Sequence, residues 1–171
     1  MFQDEAGFGR INKPKYCWST PCYRPTVPCH HIREYWYTYG AVEPLTGESF
    51  FLILPYSDTA CMSTFLEHLA ASYPSDIILL VCDNAPWHNA KALVIPSNIR
   101  LLFLPPATPE MNPIEQIWSE IRKRGFRNEI FQTLDDVIHR LSYVIRSLSS
   151  DTIKSITLRK WISNVFILVL A

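Results

Sequence analysis

The run Ile77-Ile78-Leu79-Leu80-Val81-Cys82 constrains this chain more than any other stretch. It is wholly apolar, rich in β-branched residues, and bounded by Pro74-Ser75 before and Asn84-Ala85-Pro86 after. Such a run between turn signals predicts a strand buried in a sheet. Asp83 stands at its exit. A carboxylate where a buried strand emerges is costly to leave alone. A hydrogen-bond donor or a cation must therefore meet it.

A second apolar run, Leu101 to Leu104, stops at Pro105-Pro106, and Asn112-Pro113-Ile114-Glu115 follows. Asn suits a helix N-cap, Pro the first helical position, and Glu three residues after the cap completes a capping box. Ile114, Ile117, Trp118 and Ile121 then recur at helical spacing. This places Glu115 in the first turn of a helix docked on the sheet. Alone, Asp83 could cap a turn and Glu115 a helix. Together, a strand-end Asp and a helix-start Glu can converge on one site, and hard divalent cations favour such oxygens.

Three blocks in order carry a family resemblance. They are Phe2-Gln3-Asp4-Glu5-Ala6-Gly7-Phe8, then Asp83-Asn84-Ala85-Pro86-Trp87-His88, then Leu104-Pro105-Pro106 with Pro109-Glu110-Met111-Asn112-Pro113-Ile114-Glu115-Gln116-Ile117-Trp118. The chain resembles the catalytic domain of Tc/mariner-superfamily transposases, in the bacterial insertion-sequence branch with an Asp-Asp-Glu triad. The joint order of the blocks is more specific than any one of them. The resemblance spans Phe2 to about Trp161.

It implies an α/β, RNase H-like (integrase-type) mixed sheet flanked by helices, with Asp4, Asp83 and Glu115 as catalytic and metal-binding triad. It also implies Mg²⁺, or Mn²⁺, at two ions per site, and double-stranded DNA as partner, both element ends and target. The expected reaction is phosphodiester cleavage followed by strand transfer. Asn84 and His88 lie in the second block and are expected to orient a carboxylate or contact DNA. Only Met1-Phe2-Gln3 precede Asp4, so the first strand is expected to be cut short. A helix-turn-helix region of the kind that precedes this domain in the family is not found in these residues. A homodimer on DNA is expected. Two other readings compete: an RNase H-like nuclease without strand transfer, and a non-enzymatic remnant. The connection from Asp83 to Glu115 is somewhat shorter than the family's usual one, a difference that a loop can absorb.

Composition sets outer limits. With 171 residues, 48% of them hydrophobic, the chain is long and apolar enough for one domain with a real core. Its formal net charge of zero excludes a surface that is basic all round, but not a local basic face. Five cysteines among apolar neighbours, without a signal peptide or a membrane-length span, predict a cytoplasmic protein. The catalytic domain is expected over 1–164, with 165–171 a short apolar tail.

From Arg10 to Arg33, Lys13, Lys15, Arg24 and Arg33 interleave with Tyr16, Trp18 and Tyr23. Such mixtures suit nucleic-acid contacts, although a surface loop anchored to the core by Trp18 is the plainer reading. Cys17, Cys22, Cys29, His30 and His31 are spaced poorly for zinc. Tyr35–Val42 and Ser49–Leu54 read as a hairpin, and Asp58–Ala71 as a helix. A short helix is expected near His88 to Leu93, and two closing helices over Thr133–Leu148 and Asp151–Trp161. Arg122, Lys123, Arg124 and Arg127 cluster near a helix C-terminus, where they suit the helix dipole and could contact phosphates.

Overall fold

Alternation of aromatic and small residues makes Tyr35–Val42 a strand, β2, and the Pro44–Glu48 turn folds it back on β3, Ser49–Leu54. Gly47 closes that turn with φ of +80°, and a Cβ there would strike the Ser150 carbonyl. The computed structural model describes residues 1–11, 14–29, 31–106 and 108–164. Strand β1, Phe2–Gly9, pairs antiparallel with β2, and β4 (Ile78–Cys82) and β5 (Ile99–Phe103) add in parallel on its other side. The result is a mixed five-stranded sheet in the order β3-β2-β1-β4-β5.

Helices cover both faces. Helix α1, Thr59–Ser72, starts where the Asp58 carboxylate accepts from Cys61 N at 2.8 Å. It buries Met62, Phe65, Leu66 and Leu69 against Tyr39, Ala41, Ile78, Leu80 and Ile99. The opposite face carries Ala6, Phe8 and Val42. On it sit α2 (Ile114–Gly125), α3 (Leu134–Arg146) and α4 (Ser150–Thr157), through Ile117, Trp118, Leu141 and Ile153 among others. Because strand side chains alternate, Asp4 joins the α2 face with Ala6 and Phe8, while Glu5 joins the α1 face.

Several expectations are corrected. β1 is eight residues long and pairs with β2 along its whole length. Its front is short only on the β4 side, where Phe2 and Val81 form the one register pair. Bonds of Met1 N to Leu79 O and Val81 N to Met1 O extend that contact. So the strand does pair on both sides. The segment His88–Leu93 is a series of turns rather than a helix, closed by His88 N to Ala85 O and Leu93 N to Ala90 O. A segment this short gains too few helical hydrogen bonds to offset the cost of nucleating a helix. The helix expected over Asp151–Trp161 breaks after Thr157, and helical backbone resumes over 160–164.

Trp18 does not anchor its loop: it is fully exposed, as is Tyr16. The loop is instead tied down by backbone groups, with Lys15 N and O bonded to the Asn128 side chain and Tyr16 O accepting from Arg127. Thr133 and Asp136 form a reciprocal capping box at the start of α3. Lys13, His30 and the 165–171 tail lie outside the described residues. Among the described residues no helix is long and apolar enough to cross a membrane.

Gly40, which pairs with Asp4 across β1 and β2, is where α2 presses hardest on the sheet. A Cβ there would lie 2.7 Å from the Trp118 ring, 2.8 Å from Phe51 and 2.9 Å from Ile114. Gly40→Val should therefore lower stability by about 1–3 kcal/mol, read as a reduced urea midpoint with unchanged slope.

Candidate active site

β1, the exit of β4 and the first turn of α2 bring Asp4, Asp83 and Glu115 to the walls of one open cleft of about 330 Å³. Asn84, Pro105, Pro106 and Asn112 complete its lining. The sequence blocks thus meet in space, and each carboxylate arrives by a different local device.

Asp4 is set into the middle of the sheet and is largely buried. Its Oδ2 accepts from the Trp118 indole N–H at 2.9 Å. Burial pushes its pKa up to about 7; the Trp118 bond works against that rise, and the charge of Glu115 adds to it. Glu115 lies in the first turn of α2, half-buried. The capping box expected around it does not form. The helix begins at Ile114, so Glu115 is one position too early, and the Asn112 amide is used elsewhere. Asn112 Nδ2 donates to Gln3 O at 2.8 Å, which fastens the start of α2 to β1. The Glu115 carboxylate is thereby left facing the cleft. Asn112 was legible only as a cap, because nothing local signals a bond across such a sequence separation.

Asp83 sits beyond β4 with its side chain 56% exposed. Its Oδ1 accepts from Ala85 N at 3.0 Å and lies 2.9 Å from His88 Nδ1. His88 is buried, and its Nε2 is 2.9 Å from Glu5 Oε1. Burial works against the imidazolium, but the bond and charge of Glu5, with Asp83, outweigh it and leave the His88 pKa raised. Asn84 Nδ2 donates to Leu104 O at 2.7 Å, joining the turn after β4 to the end of β5.

The basic residues divide. Arg122 lies two turns along α2 from Glu115, over the Phe8 ring at 5.0 Å. Burial lowers its pKa, while Glu115 and Asp4 hold it up, so its cation shares the field of the cleft. Lys123 and Arg124 instead pair with Glu120 on the outer surface, at 3.6 and 2.7 Å. Arg127 is engaged with Tyr16 O, and the Lys15 side chain is exposed. The predicted basic cluster is therefore one exposed cation coupled to Glu115 and Asp4, and several that pair or point elsewhere.

A divalent cation suits this donor set, which is all oxygen and carries adjacent like charges that a cation would offset. Among the described residues no three His, Cys, Asp or Glu side chains form a ready-made ligand cluster. Asp4 is held by Trp118 and Asp83 by His88, so the carboxylates face one cleft without closing on one another.

The raised Asp4 pKa has a definite sign. A carboxyl whose folded value lies above its ordinary 3.8 adds stability that is full below that value and lost as pH rises through about 7. In EDTA, Asp4→Asn should therefore gain on the wild type by about 2 kcal/mol between pH 5 and pH 8. Denaturant melts of both proteins across that range measure the gap.

Residues 1–138 match the family model for DDE superfamily endonucleases. The uncharacterized protein y4pE/y4sA of Sinorhizobium fredii (strain NBRC 101917 / NGR234) is 38% identical over 128 residues, covering 73% of this chain and 95% of that protein. The Mos1 mariner paired-end complex with Mn superposes with a TM-score of 0.70 at 16% identity, over 91% of this chain and 50% of the other. A simian T-cell lymphotropic virus intasome, in complex with PP2A regulatory subunit B56 gamma, gives 0.50 at 15% identity, over 81% and 55%. The chain spans about half the length of these solved proteins, and at such identities the likeness establishes the fold, an RNase H-like sheet flanked by helices. The family model carries the rest: this chain belongs to the DDE superfamily endonucleases.

Proposed function

We propose that this chain is the catalytic domain of an insertion-sequence-type DNA transposase, cutting phosphodiester bonds at element ends and joining the freed ends to target DNA. The observation that carries this reading is the convergence of Asp4, Asp83 and Glu115 on one cleft. Family membership and the likeness to Mos1 transposase complexes with DNA ends support it. These three carboxylates would hold Mg²⁺ or Mn²⁺, two ions per site. Bound there, the ions supply activation of an attacking oxygen and stabilisation of the leaving one.

The protein's own contribution is placement. Trp118 and the walls of the sheet hold Asp4, His88 holds Asp83, and Asn112 presents Glu115 by pinning the start of α2. Asn84 keeps the turn beside Asp83 against β5. Arg122 offers a cation to a phosphate entering the cleft. Lys123, Arg124, Arg127 and Lys15 serve as outer backbone contacts; the surface pairs of Lys123 and Arg124 with Glu120 are weak enough to be exchanged for phosphate. Cys82, next to Asp83, does not compete as a nucleophile, because burial, with the charges of Asp83 and Glu5, pushes its thiol up to about 12. Residues 1–164 form the catalytic unit, acting on DNA in the cytoplasm as a homodimer. Sequence recognition comes from a helix-turn-helix region outside these residues.

The central test is nicking of supercoiled plasmid with Mg²⁺ or Mn²⁺. Asp83→Asn should abolish nicking while its unfolding curve stays close to wild type. Undiminished nicking by that variant would move the site elsewhere.

DNA binding by the chain alone should show no sequence preference. Its formal charge is zero and its outward cations contact phosphates, which position a duplex without reading it. Affinity should fall by roughly one power of salt concentration per phosphate neutralised. Titrations on terminal-repeat and scrambled duplexes over a salt series measure both. A preference for the repeat that survives physiological salt would contradict the proposal.

A further inference from the structure

Glu5 does not line the cleft, yet it is one of the most deeply set acids in the molecule. It follows Asp4 on β1, so the pleat sends its side chain to the opposite face, in register with Tyr39. Its side chain is only 6% exposed. A buried carboxylate is a poor choice for stability, since an apolar residue would serve packing at least as well. Even its neighbourhood is imperfect: Gln3 Nε2 donates to Glu5 Oε1 at 2.9 Å, while Gln3 Oε1 is buried without a partner.

What Glu5 does have is a direct path to the cleft. His88 Nε2 lies 2.9 Å from Glu5 Oε1, and the other ring nitrogen lies 2.9 Å from Asp83 Oδ1 and 3.1 Å from the Asp83 carbonyl. The ring has no exposed surface. Each nitrogen lies within hydrogen-bond distance of a carboxylate oxygen. Fixed at two ends, the imidazole cannot rotate. Asp83, by contrast, is a half-exposed side chain on a turn, and its Oδ1 is shared between this contact and the Ala85 N–H.

We infer that Glu5 is a positioning residue: acting through His88, it holds the Asp83 carboxylate in the orientation it presents to the cleft. One buried acid on the far face of the sheet thus sets the direction of an exposed acid on the near side. The inference rests on the reading of the cleft as a metal-dependent nuclease site. Partners that orient a metal ligand typically contribute 10–100-fold in metal affinity.

The test is Mn²⁺ affinity of the full chain, followed by the paramagnetic signal of free Mn²⁺, for wild type, Glu5→Gln, His88→Gln, the double variant and Asp83→Asn. Thermal unfolding in EDTA establishes that each is folded. Glu5→Gln should bind Mn²⁺ about 10–100-fold more weakly. The double variant should lose no more than His88→Gln alone, because the two residues act in series. Wild-type affinity in Glu5→Gln, or additive losses in the double variant, would overturn the inference while leaving the cleft reading intact. Full Mn²⁺ affinity in Asp83→Asn would overturn the cleft reading and the inference with it. Should Glu5→Gln fail to fold, the unaltered protein decides by nuclear magnetic resonance. A slowly exchanging His88 Nε2–H supports the tether, and its absence refutes it.

Discussion

A carboxylate in the central strand of a sheet is only partly reached by bulk water, so a protein donor must share that work. Here it is the Trp118 indole, 2.9 Å from Asp4. Much of the structure follows from that bond. For the indole to reach Asp4, α2 must lie close against β1 and β2, and Gly40 leaves the space that a side chain would fill. Ile114, Ile117 and Ile121 keep the helix there by burial, and Asn112 sets its start by bonding across to Gln3. The same placement carries Glu115 to the cleft and Arg122, two turns further along α2, over the Phe8 ring. One bond, one gap in β2 and one apolar stripe thereby determine where two further charged groups stand.

The acids of the cleft repel one another. Burial and the charge of Glu115 favour a proton on Asp4, while Trp118 and Arg122 only partly offset them. Asp83 is kept apart on the other wall by His88. The native protein thus stores unfavourable interaction where stability alone would have placed apolar residues. On the proposed reading, a bound cation would offset that repulsion.

The two faces of the sheet are not independent. The α1 side is mainly apolar packing, yet Glu5 and Gln3 bring polar groups into that side, and the turn after β4 uses them. His88 is the only described residue with hydrogen bonds to both Glu5 and Asp83. Changes to the α1 face near β1 therefore reach the cleft without touching it.

Much was already determined by the chain itself. The buried strand ending at Asp83, the hairpin, α1 with its Asp58 cap, and the apolar stripes of α2 and α3 are properties of neighbours along the backbone, governed by periodicities of two and 3.6. That Asp4, Asp83 and Glu115 meet at one cleft was legible because they sit in ordered blocks. Three things were decided only in space. Asn112 and Glu115 looked like partners in a cap, but a helix that starts at Ile114 and an amide drawn to Gln3 O separate them. Trp18 looked like an anchor and is solvent-exposed, because backbone bonds to Asn128 already hold its loop. Alternation along β1 sends Glu5 away from Asp4, but that rule says nothing of what waits on the other face. His88 meets it there from a distant turn. Local rules fix where a side chain points; only the folded chain fixes what it meets.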